Sequence, residues 1–347
     1  MNETNKILCN REPFDEECVP EKIRYRESQM KELWSCLFFT PRGSRPSHVF
    51  LFGPSGTGKT MVVQSLMLEL KNRSILSAYV NCWQCQSLHS IMDKIIGDFR
   101  LVTAERNNTM FKIERFEKFL NKKPFFLILD DIDKLDPREI DFILYNLCDV
   151  KNATLICIGY NLRFLRRLDD RVRSRLVPKI IEFPAYSRKE LSEILRERVE
   201  RGLSEGTWDE NVLRKTTIMA NGDARMAIQT IKNAAECAEN GRKEKIEIKD
   251  LNKSCVNARE LKINKVLDNL NDHHRIIFEV IRKNRRMVSG KLWDAYKKEC
   301  EKRKSKHAPQ RTFQYYRDEL LNMGLICSKR MRIRGNVRLY SVNPKPI

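Results

Sequence analysis

Gly53-Pro54-Ser55-Gly56-Thr57-Gly58-Lys59-Thr60 satisfies G-x-x-x-x-G-K-[ST] at every fixed position. Its three glycines reach backbone angles closed to other residues, so the loop can curl with its amide N–H groups pointing inward, around an anion of several charges. A helix that follows adds its partial positive N-terminus. The pattern sets Lys59 on the β- and γ-phosphates of a nucleotide and the Thr60 hydroxyl on Mg²⁺, with Pro54, Ser55 and Thr57 completing the cradle. A second chemical segment ends the apolar run 124–129 in Asp130-Asp131-Ile132-Asp133. Acidic residues closing a buried strand belong at a sheet's carboxyl edge, beside such a loop. This is a Walker B arrangement: Asp130 holds Mg²⁺, directly or through water, and Asp131 orients or deprotonates the attacking water. Asp133 reads as a turn or N-cap residue.

The flanking elements fit those roles. His48-Val49-Phe50-Leu51-Phe52 is β-rich and 61–70 reads as an amphipathic helix, which gives the strand–loop–helix order the motif requires. Strands are expected at 75–80, 153–159 and 179–183, and helices at 21–39, 87–99 and 110–120; this alternation argues a mostly parallel sheet covered on both faces. Residues 1–20 read as an extended lead-in, and the arginines of 168–176 as a loop. Ser187 with Glu190 is a capping box opening a helix, and further helices over 209–220 and 223–239 make a small helical domain over 184–258. From 259 on, helices at 272–282, 290–302 and 309–323 and a hairpin of 326–330 with 337–342 are in winged-helix order.

At 347 residues the chain has length for two or three domains. The N-terminus carries no apolar core of a signal peptide, no run approaches the ~20 residues of a membrane span, and eleven irregularly spaced cysteines point to a reducing cytosol. Cys82-Trp83-Gln84-Cys85 has no second pair at zinc-like spacing, so chance placement stands beside a metal or redox role. His273-His274 reads as a solvated helix start.

The net charge of +20 is uneven: residues 259–347 hold 23 Lys+Arg against 9 Asp+Glu. That part is built for a polyanion. Arg311, Thr312, Gln314, Tyr315 and Arg317 would face the major groove of duplex DNA, and Arg332, Arg334 and Arg338 on the hairpin would reach phosphates or the minor groove. The alternative is a solvated face used for protein contact.

Together these motifs resemble the initiator branch of the AAA+ ATPases, the archaeal replication initiators related to subunits of the eukaryotic origin recognition complex and to the loader of the MCM helicase. The resemblance is carried by Val19-Pro20-Glu21-Lys22-Ile23-Arg24-Tyr25-Arg26-Glu27, the loop 53–60, Gly222-Asp223-Ala224-Arg225 and Met323-Gly324-Leu325-Ile326. It implies an AAA+ P-loop domain over 21–183, a helical lid over 184–258 and a DNA-binding winged helix over 259–347. By resemblance, Tyr25 and Arg26 lie near the adenine, Asn161 is the sensor 1 asparagine, Arg175 is an arginine finger given to a second copy or a paralogue, and Arg225 is sensor 2. It also implies ATP/ADP with Mg²⁺, origin DNA and the MCM helicase as partners, and a cytoplasmic, nucleoid-associated location, nuclear in a eukaryote. One position departs: the family ends Walker B in Asp-Glu, this chain in Asp130-Asp131. A water-activating carboxylate displaced by about 1 Å loses on the order of 10²-fold in rate, so slow hydrolysis is expected. Two other readings remain: a signalling or defence ATPase of a related P-loop branch, and a DNA-binding regulator whose nucleotide is structural.

Overall fold

The computed structural model describes residues 6–15, 18, 20, 23–38, 47–101, 108–121, 123–136, 138–268, 270–330 and 337–343, without the side chains at 253, 255–259, 261, 262 and 265. The chain forms two compact units, Met1–Ile228 and Gln229–Ile347. The first contains a 3₁₀ turn (Glu12–Phe14), α1 (Glu27–Phe38), β1 (Val49–Phe52), α2 (Lys59–Asn72), β2 (Leu76–Asn81), α3 (Leu88–Asp98), α4 (Thr109–Leu120) and β3 (Phe125–Asp130). A second 3₁₀ turn (Ile132–Lys134) leads to α5 (Ile140–Asp149), β4 (Ala153–Gly159), α6 (Arg163–Arg167), α7 (Asp170–Leu176), β5 (Lys179–Glu182), α8 (Arg188–Gly202) and α9 (Glu210–Ala220). Next come α10 (Ala224–Asn240), which spans the division, and, in the second unit, α11 (Ile248–Asp268), α12 (Asp272–Asn284), β6 (Arg286–Val288), α13 (Ser289–Lys302), α14 (Gln310–Asn322), β7 (Ile326–Arg330) and β8 (Arg338–Val342).

The first unit is built on a parallel sheet of order β2-β3-β4-β1-β5. Side chains alternate across a strand, so each central strand feeds both faces. Phe125, Leu127 and Leu129 join a core with α3, α4 and α5, while Phe126 and Ile128 join the opposite core with α1 and α2. This is why the strands read as unbroken apolar runs: both faces are covered. The order also puts the carboxyl end of β4 between those of β1 and β3. Helix α5 was not foreseen in the sequence, and α1 begins at Glu27 rather than at 21, after a turn in which Tyr25 has φ 64°.

The lead-in is not free-standing. Cys9 and Asn10 both donate backbone N–H to Gly202 O, at 3.0 and 3.1 Å, and Leu8 bridges Leu203. Phe14 lies so close to Gly202 that a Cβ there would sit 2.2 Å from its ring. Arg198, buried on α8, donates Nη1 to Pro13 O and Nη2 to Cys18 O at 2.9 and 3.2 Å. Arg24 pairs with Glu197 and Tyr25 with Glu193, so the chain before α1 is tied along α8. The capping box at the start of α8 is present: Glu190 accepts the Ser187 N–H at 2.7 Å, and Ser187 Oγ accepts the Glu190 N–H.

In the second unit an antiparallel sheet of order β6-β8-β7 covers α12, α13 and α14. Ile277, Ile281, Leu292, Tyr296, Phe313, Leu320 and Tyr340 form its core. The order of helices and hairpin matches the winged-helix expectation, with β6 as an unforeseen third strand. Helix α11 runs unbroken across 258/259, where the sequence suggested a domain boundary, and its Ile263 and Leu267 belong to this core. His273-His274 is not a solvated helix start. His274 is buried, with Nδ1 on Asn271 Oδ1 at 2.9 Å and Nε2 on Glu319 Oε2 at 2.8 Å.

Candidate functional site

The loop after β1 closes on itself and on its neighbours. Gly53 has φ 150°, and a Cβ there would lie 2.1 Å from Phe183 O; Gly56 has φ 70°, and its Cβ would lie 1.9 Å from Asp223 Oδ1. Only glycine fits either place. Thr57 Oγ1 donates to Pro54 O at 2.9 Å, and Lys59 Nζ donates to Gly53 O and Pro54 O at 2.6 and 2.8 Å. Helix α2 starts at Lys59 with no side chain capping it, so its first N–H groups face the loop. Burial pulls the Lys59 ammonium down to about 8, against the pull of Asp130, Asp131 and Asp133 in the other direction.

Asp130, at the end of β3, is buried, and its carboxylate receives three hydrogen bonds. Thr60 Oγ1 and Tyr79 OH both donate to Oδ2, at 2.9 and 2.7 Å, and the Asp131 N–H donates to Oδ1 at 2.9 Å. The Tyr79 hydroxyl is pushed well up by burial and by the Asp130 charge. Asp131 stands exposed at the turn with φ 54° and ψ 44°; the loss of solvent on its protein side, then the Asp130 charge, raises its carboxyl. A hydroxyl touching a carboxylate at the phosphate loop is the hard-oxygen donor set that suits Mg²⁺, which takes one or two protein oxygens and fills the rest with water and phosphate. The residues present therefore fit ATP·Mg²⁺.

Past β4, Asn161 Oδ1 accepts the Arg163 N–H at 2.8 Å, and Asp133 accepts the Tyr160 N–H at 2.6 Å. From the lid side, Ala224 donates its N–H to Gly56 O at 3.0 Å, which brings the first turn of α10 to the loop. Arg225, in that turn, is near enough for its charge to lower both Lys59 and Asp131. Lys59, Thr60, Asp130, Asp131, Asn161 and Arg225 thus belong to one sheet edge and the helix facing it.

Tyr25 and Arg26 stand differently from Arg225. Arg26 is buried, donates Nε to Thr57 O at 2.9 Å and Nη2 to Pro184 O at 2.6 Å, and lies 4.0 Å from the Tyr186 ring centroid. It clasps the loop to the start of the lid segment, while Tyr25 OH is engaged by Glu193. The 168–176 arginines form helix α7, N-capped by Asp169, rather than a loop. Arg175 there points back onto α5, pairing with Asp149, donating to Tyr145 OH at 2.7 Å and lying 3.9 Å over the Tyr145 ring.

In the second unit, α14 exposes Arg311, Gln314 and Tyr315, the last at 61%, with Thr312 half-buried. Arg317 turns inward, bonded to Asp318 at 2.7 Å and over the Tyr340 ring. Arg338 is exposed on β8, and Arg332 and Arg334 lie outside the described residues. Cys82 is buried beneath Asp130, its N–H donated to Asp130 O at 2.9 Å. Tyr79 and Tyr186 shape the site and were not singled out in the sequence, because each acts through a partner distant in the chain, while Asp133, read as a turn residue, also holds the Tyr160 N–H.

The AAA domain family matches residues 42–168 and the Cdc6 AAA+ ATPase-type lid domain family residues 192–255. ORC1-type DNA replication protein 1 of Sulfurisphaera tokodaii is 29% identical over 94% of this chain and 87% of its own length. ORC1-type DNA replication protein 9 of Halobacterium salinarum is also 29% identical, over 83% of this chain and 82% of its own. Among solved structures, Aeropyrum pernix ORC1 in complex with DNA superposes with TM-score 0.79 over 97% of this chain and 94% of its own, at 24% identity. Cdc6p of Pyrobaculum aerophilum gives 0.65 over 98% and 95%, at 22% identity, and both share the fold. With a phosphate loop, an acidic strand end and a lid arginine converging on one sheet edge, the chain carries an AAA domain and a Cdc6 AAA+ ATPase-type lid domain, and along its length it is similar to ORC1-type DNA replication proteins.

Proposed function

We propose that this protein is an ATP-dependent DNA-binding replication initiator that recognises origins and helps load the MCM helicase, with ATP binding and slow hydrolysis acting as a switch. The observation that carries this reading is the Ala224 N–H on Gly56 O, since it makes the phosphate loop and the lid helix one connected object. Bound ATP·Mg²⁺ supplies the scissile phosphoanhydride and the cation that offsets its charge. Lys59, the loop amides and the α2 N-terminus hold the phosphates, and Thr60 with Asp130 holds the metal. Asp131 orients the attacking water, with Asn161 beside it. Arg225 answers the γ-phosphate from the lid, and Arg175 of a second copy or a paralogue completes the site.

Nucleotide state then biases the lid between arrangements and, through it, how the basic second unit lies on duplex DNA. Arg311, Thr312, Gln314 and Tyr315 on α14 and Arg332, Arg334 and Arg338 supply the DNA contacts, and Arg317 joins them only by leaving Asp318 and the Tyr340 ring. In this reading the protein acts on chromosomal DNA, in a cytoplasmic, nucleoid-associated location. Genome-wide mapping of bound DNA tests the reading. Peaks at replication start sites are expected, scattered promoter peaks would sink it, and RNA bound more tightly than duplex DNA would favour a signalling ATPase. Filter binding should give different duplex affinities in ATP and ADP, and affinity should fall with salt with a log–log slope of about −0.9 per phosphate neutralised.

A further inference from the structure

We propose that Asp133 is a positioning residue for hydrolysis, which fixes the Tyr160–Asn161 turn against the Walker B turn and so sets where the Asn161 amide stands. This rests on the nucleotide-site reading above, in which Asn161 acts on the γ-phosphate or the water. The paired register of β3 and β4 ends at Leu129 with Cys157, although β4 runs on to Gly159 and β3 to Asp130. Beyond that pair β4 stays on β1 through Gly159 and Phe52, and β3 on β2 through Asp130 and Asn81, but the β3–β4 ladder itself no longer holds the two ends to each other. Asp133, in the 3₁₀ turn after Asp130-Asp131, reaches across and accepts the Tyr160 N–H at 2.6 Å. The approach is close: a Cβ on Gly159 would lie 3.0 Å from Asp133 Oδ1 and 2.8 Å from the Phe50 ring. Burial raises the Asp133 carboxyl and the Tyr160 N–H opposes that, the signature of a carboxylate answered by a main-chain donor. The next residue, Asn161, spends its Oδ1 on the Arg163 N–H, which leaves its Nδ2 as the group to donate into the site. An amide donor on a two-residue lever from Tyr160 follows any movement of that N–H.

Single-turnover ATP hydrolysis and nucleotide affinity test this in the full-length chain with Asp133→Ala, Asp133→Asn, Asn161→Ala and the Asp133→Ala/Asn161→Ala double variant. Asp133→Ala should slow hydrolysis about 10- to 100-fold, as misplacement by an ångström does, with ATP affinity held within about threefold. Asp133→Asn keeps an acceptor for Tyr160 while losing the charge, and should hydrolyse within about threefold of wild type. The double variant should be no slower than Asn161→Ala alone, since both changes remove one function. Should Asp133→Ala fail to fold, Asp133→Ser, whose hydroxyl falls short of Tyr160, replaces it. Wild-type rates in Asp133→Ala, a slow Asp133→Asn, or losses that multiply in the double variant would each overturn the proposal. If Asn161→Ala itself hydrolyses normally, the reading of Asn161 fails and takes the proposal with it, whereas a slow Asn161→Ala beside a normal Asp133→Ala overturns the proposal alone.

Discussion

Ala224 donates its backbone N–H to Gly56 O at 3.0 Å, so the lid helix α10 begins on the phosphate loop itself. Asp223, just before it, caps that helix by accepting the Met226 N–H at 2.9 Å and fills the space where a Gly56 side chain would stand. The contact is backbone to backbone, so no side-chain substitution at Ala224 removes it directly. What can be changed is the approach.

Gly56→Ala should abolish nucleotide binding without unfolding the protein. The new Cβ would meet Asp223 Oδ1 at 1.9 Å, and the residue would be held at φ 70°, where a left-handed conformation costs about 1–2 kcal/mol for an L side chain. Gly97→Ala, in α3 with open space around it, is the control and should leave binding unchanged while stabilising the chain by about 0.5–1 kcal/mol. Isothermal titration with ATP and urea unfolding separate the two effects.

Arg26→Lys should weaken both stability and nucleotide affinity. An ammonium cannot lie flat on Tyr186 while bonding Thr57 O and Pro184 O, and the buried Thr57 carbonyl left without its donor costs about 1–3 kcal/mol. Urea midpoints and ATP titration read the change. Unaltered values in both would show that the clasp is replaceable.

The local parts of this site were legible, because glycine spacing, the unbroken apolar run 124–129 and the Ser187/Glu190 box are written within a few residues of each other. Helix α5 has no counterpart in the sequence reading, although Ile140, Ile143, Leu144 and Leu147 stand at helical spacing. The remaining misses are long-range. Nothing near Tyr79 announces Asp130, nor near Asp133 the Tyr160 N–H, nor near Arg198 the carbonyls of Pro13 and Cys18. His274 looked like surface because its partner, Glu319, lies 45 residues away.

Asp131→Glu should raise hydrolysis on the order of 10-fold or more by restoring the longer carboxylate, with ATP affinity little changed. The backbone explains why aspartate sits there at some advantage: φ 54° and ψ 44° are left-handed, a region Asp and Asn tolerate better than Glu. The variant should therefore be faster and about 1 kcal/mol less stable, as read by phosphate release and urea unfolding. Equal turnover in both forms would remove the case for slow hydrolysis by this route.

Ser187→Ala breaks the capping box at the start of α8 and should cost about 1 kcal/mol. The Ser187 N–H holds the Glu190 carboxyl below its ordinary value of 4.5. A depressed carboxyl contributes stability that is present above the ordinary value and lost as pH falls through the folded one. The difference in urea midpoint between wild type and Glu190→Gln should therefore be constant near neutrality and shrink below pH 4.5.

Arg175 is held on its own α5 by Asp149 and Tyr145, so a role in a neighbour's site requires it to leave them. The pair is exposed on both sides, and such a surface ion pair is worth about 0–1 kcal/mol, little enough for a neighbouring subunit to displace. Hydrolysis per subunit should accordingly rise with protein concentration in wild type. Arg175→Ala should flatten that rise while leaving ATP affinity intact, because its guanidinium belongs to the other subunit's chemistry. Asp149→Asn should instead shift the rise to lower concentration, since it loosens the hold without touching the guanidinium. A concentration-independent rate in all three proteins would mean that Arg175 serves only to fasten α7 to α5.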